Sequence, residues 1–162
     1  MAFLCILYSM ENGIILLTGF MAAGKTTIGK RMATEKSYSF IDLDDYIESK
    51  VHKSISDIFE EFGEEYFRKL ETEAFISLLE KYKTKLVIAS GGGFPLRLRN
   101  RKLMKKVHTI FINTPLDVIK NRLNSLEIAK RPMLANNIGA LEKLYEERLP
   151  IYLETADSIL FA

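Results

Sequence analysis

Gly19-Phe20-Met21-Ala22-Ala23-Gly24-Lys25-Thr26, with Thr27 behind it, carries the pattern G-x-x-x-x-G-K-T. An apolar run at residues 14–17 precedes it and suits a buried strand. Residues 27–36 follow with Ile28, Met32 and Ala33 at helical spacing. Strand, loop and helix in that order is the context in which the pattern cradles phosphate. Gly19 and Gly24 allow backbone angles that a side chain obstructs, so successive N–H groups can turn inward on an anion at the positive end of the helix. Lys25 then reaches the β- and γ-phosphates, and the Thr26 hydroxyl ligates Mg²⁺. A glycine-containing turn that matches by chance is the competing explanation, and the flanking strand and helix weigh against it. The expected ligand is a nucleoside triphosphate, held by Gly19, Ala22, Ala23, Gly24, Lys25, Thr26 and Thr27.

At 162 residues the chain suits one domain with a substantial core. Its 48% hydrophobic and 27% charged residues are those of an ordinary globular protein. The net charge of +2 argues for neither nucleic acid nor membrane. The densest basic run (Arg97, Arg99, Arg101, Lys102, Lys105, Lys106) spreads around a helix and reads as a solvated face. Cys5 is the single cysteine, which excludes an intrachain disulfide and fits a reducing, cytoplasmic compartment. No apolar stretch approaches the roughly 20 residues that span a bilayer. Residues 1–9 are apolar but lack a basic leader; they read as an extension upstream of Met10, an added edge strand or an apolar arm.

Along the chain, residues 38–43 read as a second strand running into Asp42-Leu43-Asp44-Asp45, which also opens a helix. Acidic residues in a first turn often serve only the helix dipole. That accounts for Asp45 better than for Asp42 and Asp44, which flank a leucine at a strand's carboxyl end, where open α/β sheets place ligands. Residues 54–63 form a helix with Ser54 as N-cap and Asp57 completing a capping box; Gly63 ends it, and a longer helix covers residues 64–82. Arg68 and Glu71 lie three apart on that helix, where the plain expectation is an exposed pair worth a few tenths of a kcal/mol. Residues 86–89 form a central strand, followed by Gly91-Gly92-Gly93. Three glycines are more than a turn requires, and they let a substrate approach the main chain. A helix at 96–106 and a strand at 107–112 come next, with His108 a structural strand-end residue and His52 on the surface. Thr114 and Pro115 are the expected N-cap and first residue of another helix. Residues 124–137 are polar, basic and loop-like, as a lid would be. Residues 138–149 are helical, Pro150 interrupts, a further helical turn follows, and residues 158–161 make the last strand. This alternation predicts a five-stranded parallel sheet with helices on both faces.

A kinase needs, besides its nucleotide loop, metal ligands, an acceptor pocket, a group that orients the acceptor hydroxyl, and positive charge on the transferred phosphoryl. Asp42 beside the Thr26 hydroxyl is placed to hold Mg²⁺ through water, and Asp44 to accept the acceptor's proton. Arg68 suits a bidentate grip on an anionic acceptor, with Glu71 fixing the guanidinium. Arg131 suits closure over the phosphates. No N-K-x-D guanine signature occurs. These residues describe a small-molecule kinase with an anionic, hydroxylated acceptor. A nucleoside monophosphate or gluconate is an alternative acceptor, since arginine grips phosphate and carboxylate alike. A non-catalytic ATP-binding module is a further alternative, though it has no use for Asp44, Arg68 and Arg131.

The elements G-F-M-A-A-G-K-T-T, F-I-D-L-D, G-E-E-Y-F-R-K-L-E, S-G-G-G-F, K-R-P-M-L and E-R-L-P-I-Y, running from Gly19 to Tyr152, resemble the shikimate kinase family. The nucleotide loop is shared by many enzymes, whereas the combination of the later elements is specific. The resemblance implies a P-loop kinase of nucleoside-monophosphate-kinase type with sheet order 2-3-1-4-5. It implies ATP-dependent phosphorylation of the shikimate 3-hydroxyl in aromatic amino-acid biosynthesis, by a monomer with no nucleic-acid or membrane partner. It implies that Lys25 contacts phosphate and that Thr26 binds Mg²⁺ with Asp42 assisting. Asp44 would meet the shikimate hydroxyls, and Arg68 and Arg148 the carboxylate, with Glu71 orienting them. Gly92, between Gly91 and Gly93, would offer backbone to the substrate. Arg131 would close on the phosphates, and Arg122 would pack on adenine. Ala22 stands where the family commonly has glycine, which suits helical or extended angles. Members of the family commonly run on past the position of Ala162 into an adenine-contacting loop and a C-terminal helix, so weaker adenine contacts are expected here.

Overall fold

The computed structural model of the chain describes residues 13–123 and 138–162. The expectations for residues 1–9, for the lid at 124–137 and for Arg131 lie outside the described residues. Five strands form one parallel sheet: β1 (Ile14–Thr18), β2 (Ser39–Asp42), β3 (Leu86–Ala89), β4 (His108–Asn113) and β5 (Ser158–Phe161). Their order is β2-β3-β1-β4-β5, with β1 paired to both β3 and β4, as the family resemblance implied. The helices are α1 (Lys25–Lys36), α2 (Leu43–Val51), α3 (Ile55–Lys81), α4 (Leu98–Met104), α5 (Leu116–Arg122) and α6 (Ile138–Thr155), with a 3₁₀ turn at Phe94–Leu96.

The two faces of the sheet follow from strand periodicity. Successive residues of a strand point to opposite faces. Ile14 and Leu16 of β1 and Leu86 and Ile88 of β3 join Leu43, Ile47, Ile58, Phe67, Phe75 and Leu78 on one side. Ile15, Leu17 and Val87 join Met32, Ala33, Ile110 and Ile112 on the other. Both faces of β1 and β3 are therefore dry, which is why these strands read as unbroken apolar runs. Phe20, Phe111, Ile119, Leu123, Leu141 and Tyr152 form a smaller cluster beyond the carboxyl end of β1.

Helix ends follow the sequence closely in some places and not in others. Ser54 and Asp57 make the expected capping box. The α3 run breaks at Gly63 (φ 80°, ψ 173°), so it is two helices meeting where the glycine stands. His108 Nε2 meets Ser158 Oγ at 2.9 Å, tying β4 to β5 as a strand-end residue does. Thr114, by contrast, is not a cap. Its buried hydroxyl donates to the Ala23 carbonyl (2.9 Å), pinning the end of β4 to the phosphate loop, and Pro115 takes the N-cap position. The expected helix at 96–106 is split into the 3₁₀ turn and the shorter α4. Pro150 does not interrupt α6. The helix runs through it because the turn beyond is anchored by Tyr152, buried and stacked on Phe111 with ring centroids 5.2 Å apart. Packing of that kind outweighs a lost backbone hydrogen bond.

Candidate active site

The carboxyl ends of β1, β2 and β3 meet at one crevice, where an open α/β sheet binds its ligands. From β1 comes the loop of residues 19–24, ending at Gly24 (φ 93°), the N-cap of α1. The helix begins at Lys25, two residues earlier than its apolar pattern suggests, so Lys25 and Thr26 stand in its first turn. Gly19 has φ 147°, and a β-carbon there would lie 2.8 Å from the Ile112 carbonyl. Ala22 adopts φ 57°, neither helical nor extended as its side chain suggested. Such angles cost an alanine roughly 1–2 kcal/mol. Its carbonyl accepts a 3.0 Å hydrogen bond from Arg122 Nη1, which brings Arg122 over the loop.

Lys25 Nζ donates to the carbonyls of Gly19 (2.9 Å) and Phe20 (2.7 Å), so the ammonium lies inside the curl of the loop. Thr26 Oγ1 donates to Asp42 Oδ2 at 2.7 Å. The other Asp42 oxygen accepts from the Asp44 backbone N–H (3.1 Å), making Asp42 the N-cap of α2. One aspartate thus orients the helix that carries Asp44 and supplies an oxygen beside the threonine hydroxyl. Two hard oxygen donors at one point fit Mg²⁺, which keeps several waters and binds through one or two protein oxygens plus phosphate.

Beside this loop lies a second hollow, lined by charge. Arg68 Nη1 donates to Glu71 Oε2 at 2.7 Å, and Nη2 to Glu64 Oε1 at 3.0 Å. This is not the exposed pair that its spacing suggested: the Glu71 side chain is 0% exposed and that of Arg68 14%. The triple glycine explains how they fit. A β-carbon on Gly93 would stand 2.5 Å from the Arg68 guanidinium. One on Gly91 would stand 2.7 Å from Glu71 Oε1 and 3.3 Å from Asp44 Oδ1. Gly91 and Gly93 therefore make room first for the site's own side chains, and Asp44 and Glu71 converge on one point. On the far side, Arg148 lies over the Phe20 ring (5.9 Å from guanidinium carbon to centroid), and its Nη1 is near Gly92. Glu71 Oε1 and Arg148 Nε are buried without a hydrogen-bond partner among the described residues. Buried polar atoms are rarely left so, and two around one hollow point to a polar ligand.

Sequence reasoning assigned no role to Tyr152, whose hydroxyl donates to the Gly92 carbonyl at 2.5 Å. The available signal was spacing: Tyr152 follows Arg148 by four residues, so both project from one face of α6. It also missed Glu64, the second anchor of Arg68, which precedes it by four.

Burial drives the Glu71 carboxyl up from 4.5 to about 7. The Arg68 guanidinium works against that shift, Asp44 adds to it, and Arg148 opposes it. The native state accordingly holds this proton more tightly than the unfolded chain does. The stability it contributes is complete below pH 4.5 and is lost as pH rises through 7. The span corresponds to about 3 kcal/mol. Urea midpoints measured at about pH 5 and about pH 8 are expected to show this decline in the wild type and a much flatter profile in Glu71→Gln. Equal slopes in the two proteins would remove Glu71 as the source.

The chain as a whole is similar to known proteins. The family model described as shikimate kinase matches residues 21–161. A shikimate kinase of Dictyoglomus turgidum is 44% identical over 144 residues, covering 88% of this chain and 83% of that protein. Among solved structures, the shikimate kinase of Bacteroides thetaiotaomicron superposes with a TM-score of 0.83 at 36% identity, covering 94% of this chain and 88% of that one. The shikimate kinase of Acinetobacter baumannii, solved in complex with shikimate, gives 0.80 at 32% identity, covering 93% and 83%. With a nucleotide loop and an arginine-lined hollow meeting at the strand ends, and with matches of this extent, the chain belongs to the shikimate kinase family.

Proposed function

We propose that this protein transfers the γ-phosphoryl group of ATP to the 3-hydroxyl of shikimate, and that the hollow between Asp44, Arg68, Glu71, Arg148 and the triple glycine receives the acceptor. The observation that carries the reading is the convergence of Asp44 and Glu71 on Gly91, with Arg68 and Arg148 facing Gly93 and Gly92, directly beside the phosphate loop. A ring acid with several hydroxyls matches that set: its carboxylate meets two guanidinium groups and its hydroxyls meet two carboxyls.

In this reading the loop amides from Gly19 to Thr27 hold the phosphates of ATP, while Lys25 leaves its loop carbonyls for the β- and γ-oxygens. Arg122, already against the Ala22 carbonyl, borders the adenine side. Thr26 and Asp42 hold Mg²⁺, which when bound neutralises charge on the phosphates. Asp44 takes the proton of the acceptor hydroxyl as its oxygen forms the new bond to γ-phosphorus and the bond to the bridging oxygen breaks, releasing ADP. Arg131 is the further source of positive charge for the phosphates in this reading. The reading describes a single-domain, cytoplasmic monomer in aromatic amino-acid biosynthesis, with no nucleic-acid or membrane partner. No helix among the described residues is long and apolar enough to cross a membrane.

The test is a coupled ADP-release assay with shikimate, gluconate, AMP and CMP offered separately. ADP release dependent on shikimate alone is expected. Release with AMP, CMP or gluconate would reassign the acceptor, and no release with any would leave a binding module. Arg68→Ala is expected to raise the acceptor KM by about 10- to 150-fold, the 1.5–3 kcal/mol of a charge-assisted hydrogen bond, with the ATP KM unchanged. An unchanged acceptor KM would take Arg68 out of the pocket.

A further inference from the structure

We infer that Tyr152 is a positioning residue for the acceptor: its hydroxyl clamps the Gly92 carbonyl and the Arg148 guanidinium together, fixing the wall shared by the acceptor hollow and the phosphate loop. The inference rests on the acceptor pocket proposed above and adds to it a residue that acts through Gly92 and Arg148.

Tyr152 is fully buried, and its ring is held by stacking on Phe111 of β4. The ring therefore has a fixed origin on the sheet, and its hydroxyl a fixed reach. That hydroxyl donates to Gly92 at 2.5 Å and lies against the Arg148 guanidinium, one turn earlier on α6. Gly92 in turn sits against the phosphate loop: a β-carbon there would lie 3.5 Å from the Gly19 carbonyl, from Met21 N and from Arg148 Nη1. Local backbone bonds shape the turn, from Phe94 N–H to the Gly91 carbonyl and from Leu96 N–H to the Gly93 carbonyl (3.1 Å each), while the carbonyl of Gly92 between them takes its bond from Tyr152 outside. On the other flank a buried pair does the same work. Asn100 donates to the Phe94 carbonyl (2.8 Å) and accepts from Thr72 (2.7 Å), whose own hydroxyl also meets the Arg68 carbonyl (3.1 Å). Tyr152 is the member of this frame that reaches the glycine contacting the donor side. Loss of its hydroxyl leaves the part-buried Gly92 carbonyl without this donor and the arginine without its stop, while the ring still packs.

Tyr152→Phe isolates that hydroxyl. The expected result is a shikimate KM raised about five- to tenfold, the worth of one hydrogen bond, with the ATP KM within about twofold of wild type. Hydrogen–deuterium exchange of the ligand-free protein is expected to quicken at the amides of residues 91–94. Ile15→Val, a buried change near the amino end of β1 and on the other core cluster, serves as the control for general loss of stability and is expected to lower the melting temperature without moving the shikimate KM. Unchanged exchange at residues 91–94 in Tyr152→Phe overturns the clamp whatever the substrate is. Equal rises in both KM values, or a shikimate KM that moves as much in Ile15→Val, would make Tyr152 a packing residue only. Absence of shikimate turnover by the wild type would overturn the acceptor assignment and, with it, the acceptor half of this inference.

Discussion

Asp44→Asn is expected to lower kcat by about 10²–10⁴, with ATP binding and thermal stability close to wild type. The substitution keeps the size of the side chain and removes its charge, so it separates proton acceptance from packing. Asp44 is held by its backbone, through the hydrogen bond of its N–H to Asp42, and its carboxylate sits against Gly91 within the crevice. Asparagine in that place can still touch a hydroxyl but takes no proton from it. Because Asp42 keeps both of its hydrogen bonds, the cap of α2 and the Thr26 contact persist. A kcat within a few-fold of wild type would reduce Asp44 to a contact that orients the acceptor.

Lys25→Met is expected to cost on the order of 10²–10³ in kcat, the scale on which one preorganised electrostatic partner contributes to a transition state. The methionine fills the same volume without the ammonium. Lys25 bridges two carbonyls of its own loop, Gly19 and Phe20, so the substitution also loosens the loop. Its signature is therefore a fall in kcat accompanied by weaker ATP binding, whereas Asp44→Asn lowers kcat alone. Isothermal titration with a non-hydrolysable ATP analogue, set beside steady-state rates, distinguishes the two. ATP affinity and kcat both unchanged in Lys25→Met would contradict the phosphate site itself.

Most of the architecture was legible because it rests on local chemistry. The buried parallel strands announced themselves as short apolar runs, and Ser54 begins its helix where capping physics places it. What eluded sequence reasoning depended on distant partners. The Arg68–Glu71 pair looks exposed from its spacing alone, yet the glycine turn after β3 folds over it. Thr114 has the composition of a cap and spends its hydroxyl on the phosphate loop 91 residues away. Pro150 carries the chemistry of a helix stop and is overridden by the burial of Tyr152. Ala22 holds a left-handed conformation that its side chain disfavours, because the loop's curvature and the Arg122 bond to its carbonyl set the angles. The Tyr152 clamp needed both the helix spacing and knowledge of which carbonyl waits at its end.

The most direct test of phosphoryl transfer between adjoining sites is ³¹P NMR of the full-length protein incubated with Mg²⁺, ATP and shikimate. A growing phosphomonoester resonance, coupled to the proton at carbon 3 of the ring and matched mole for mole by ADP, is the predicted result. ATP that persists unchanged, or that yields only inorganic phosphate, would contradict it.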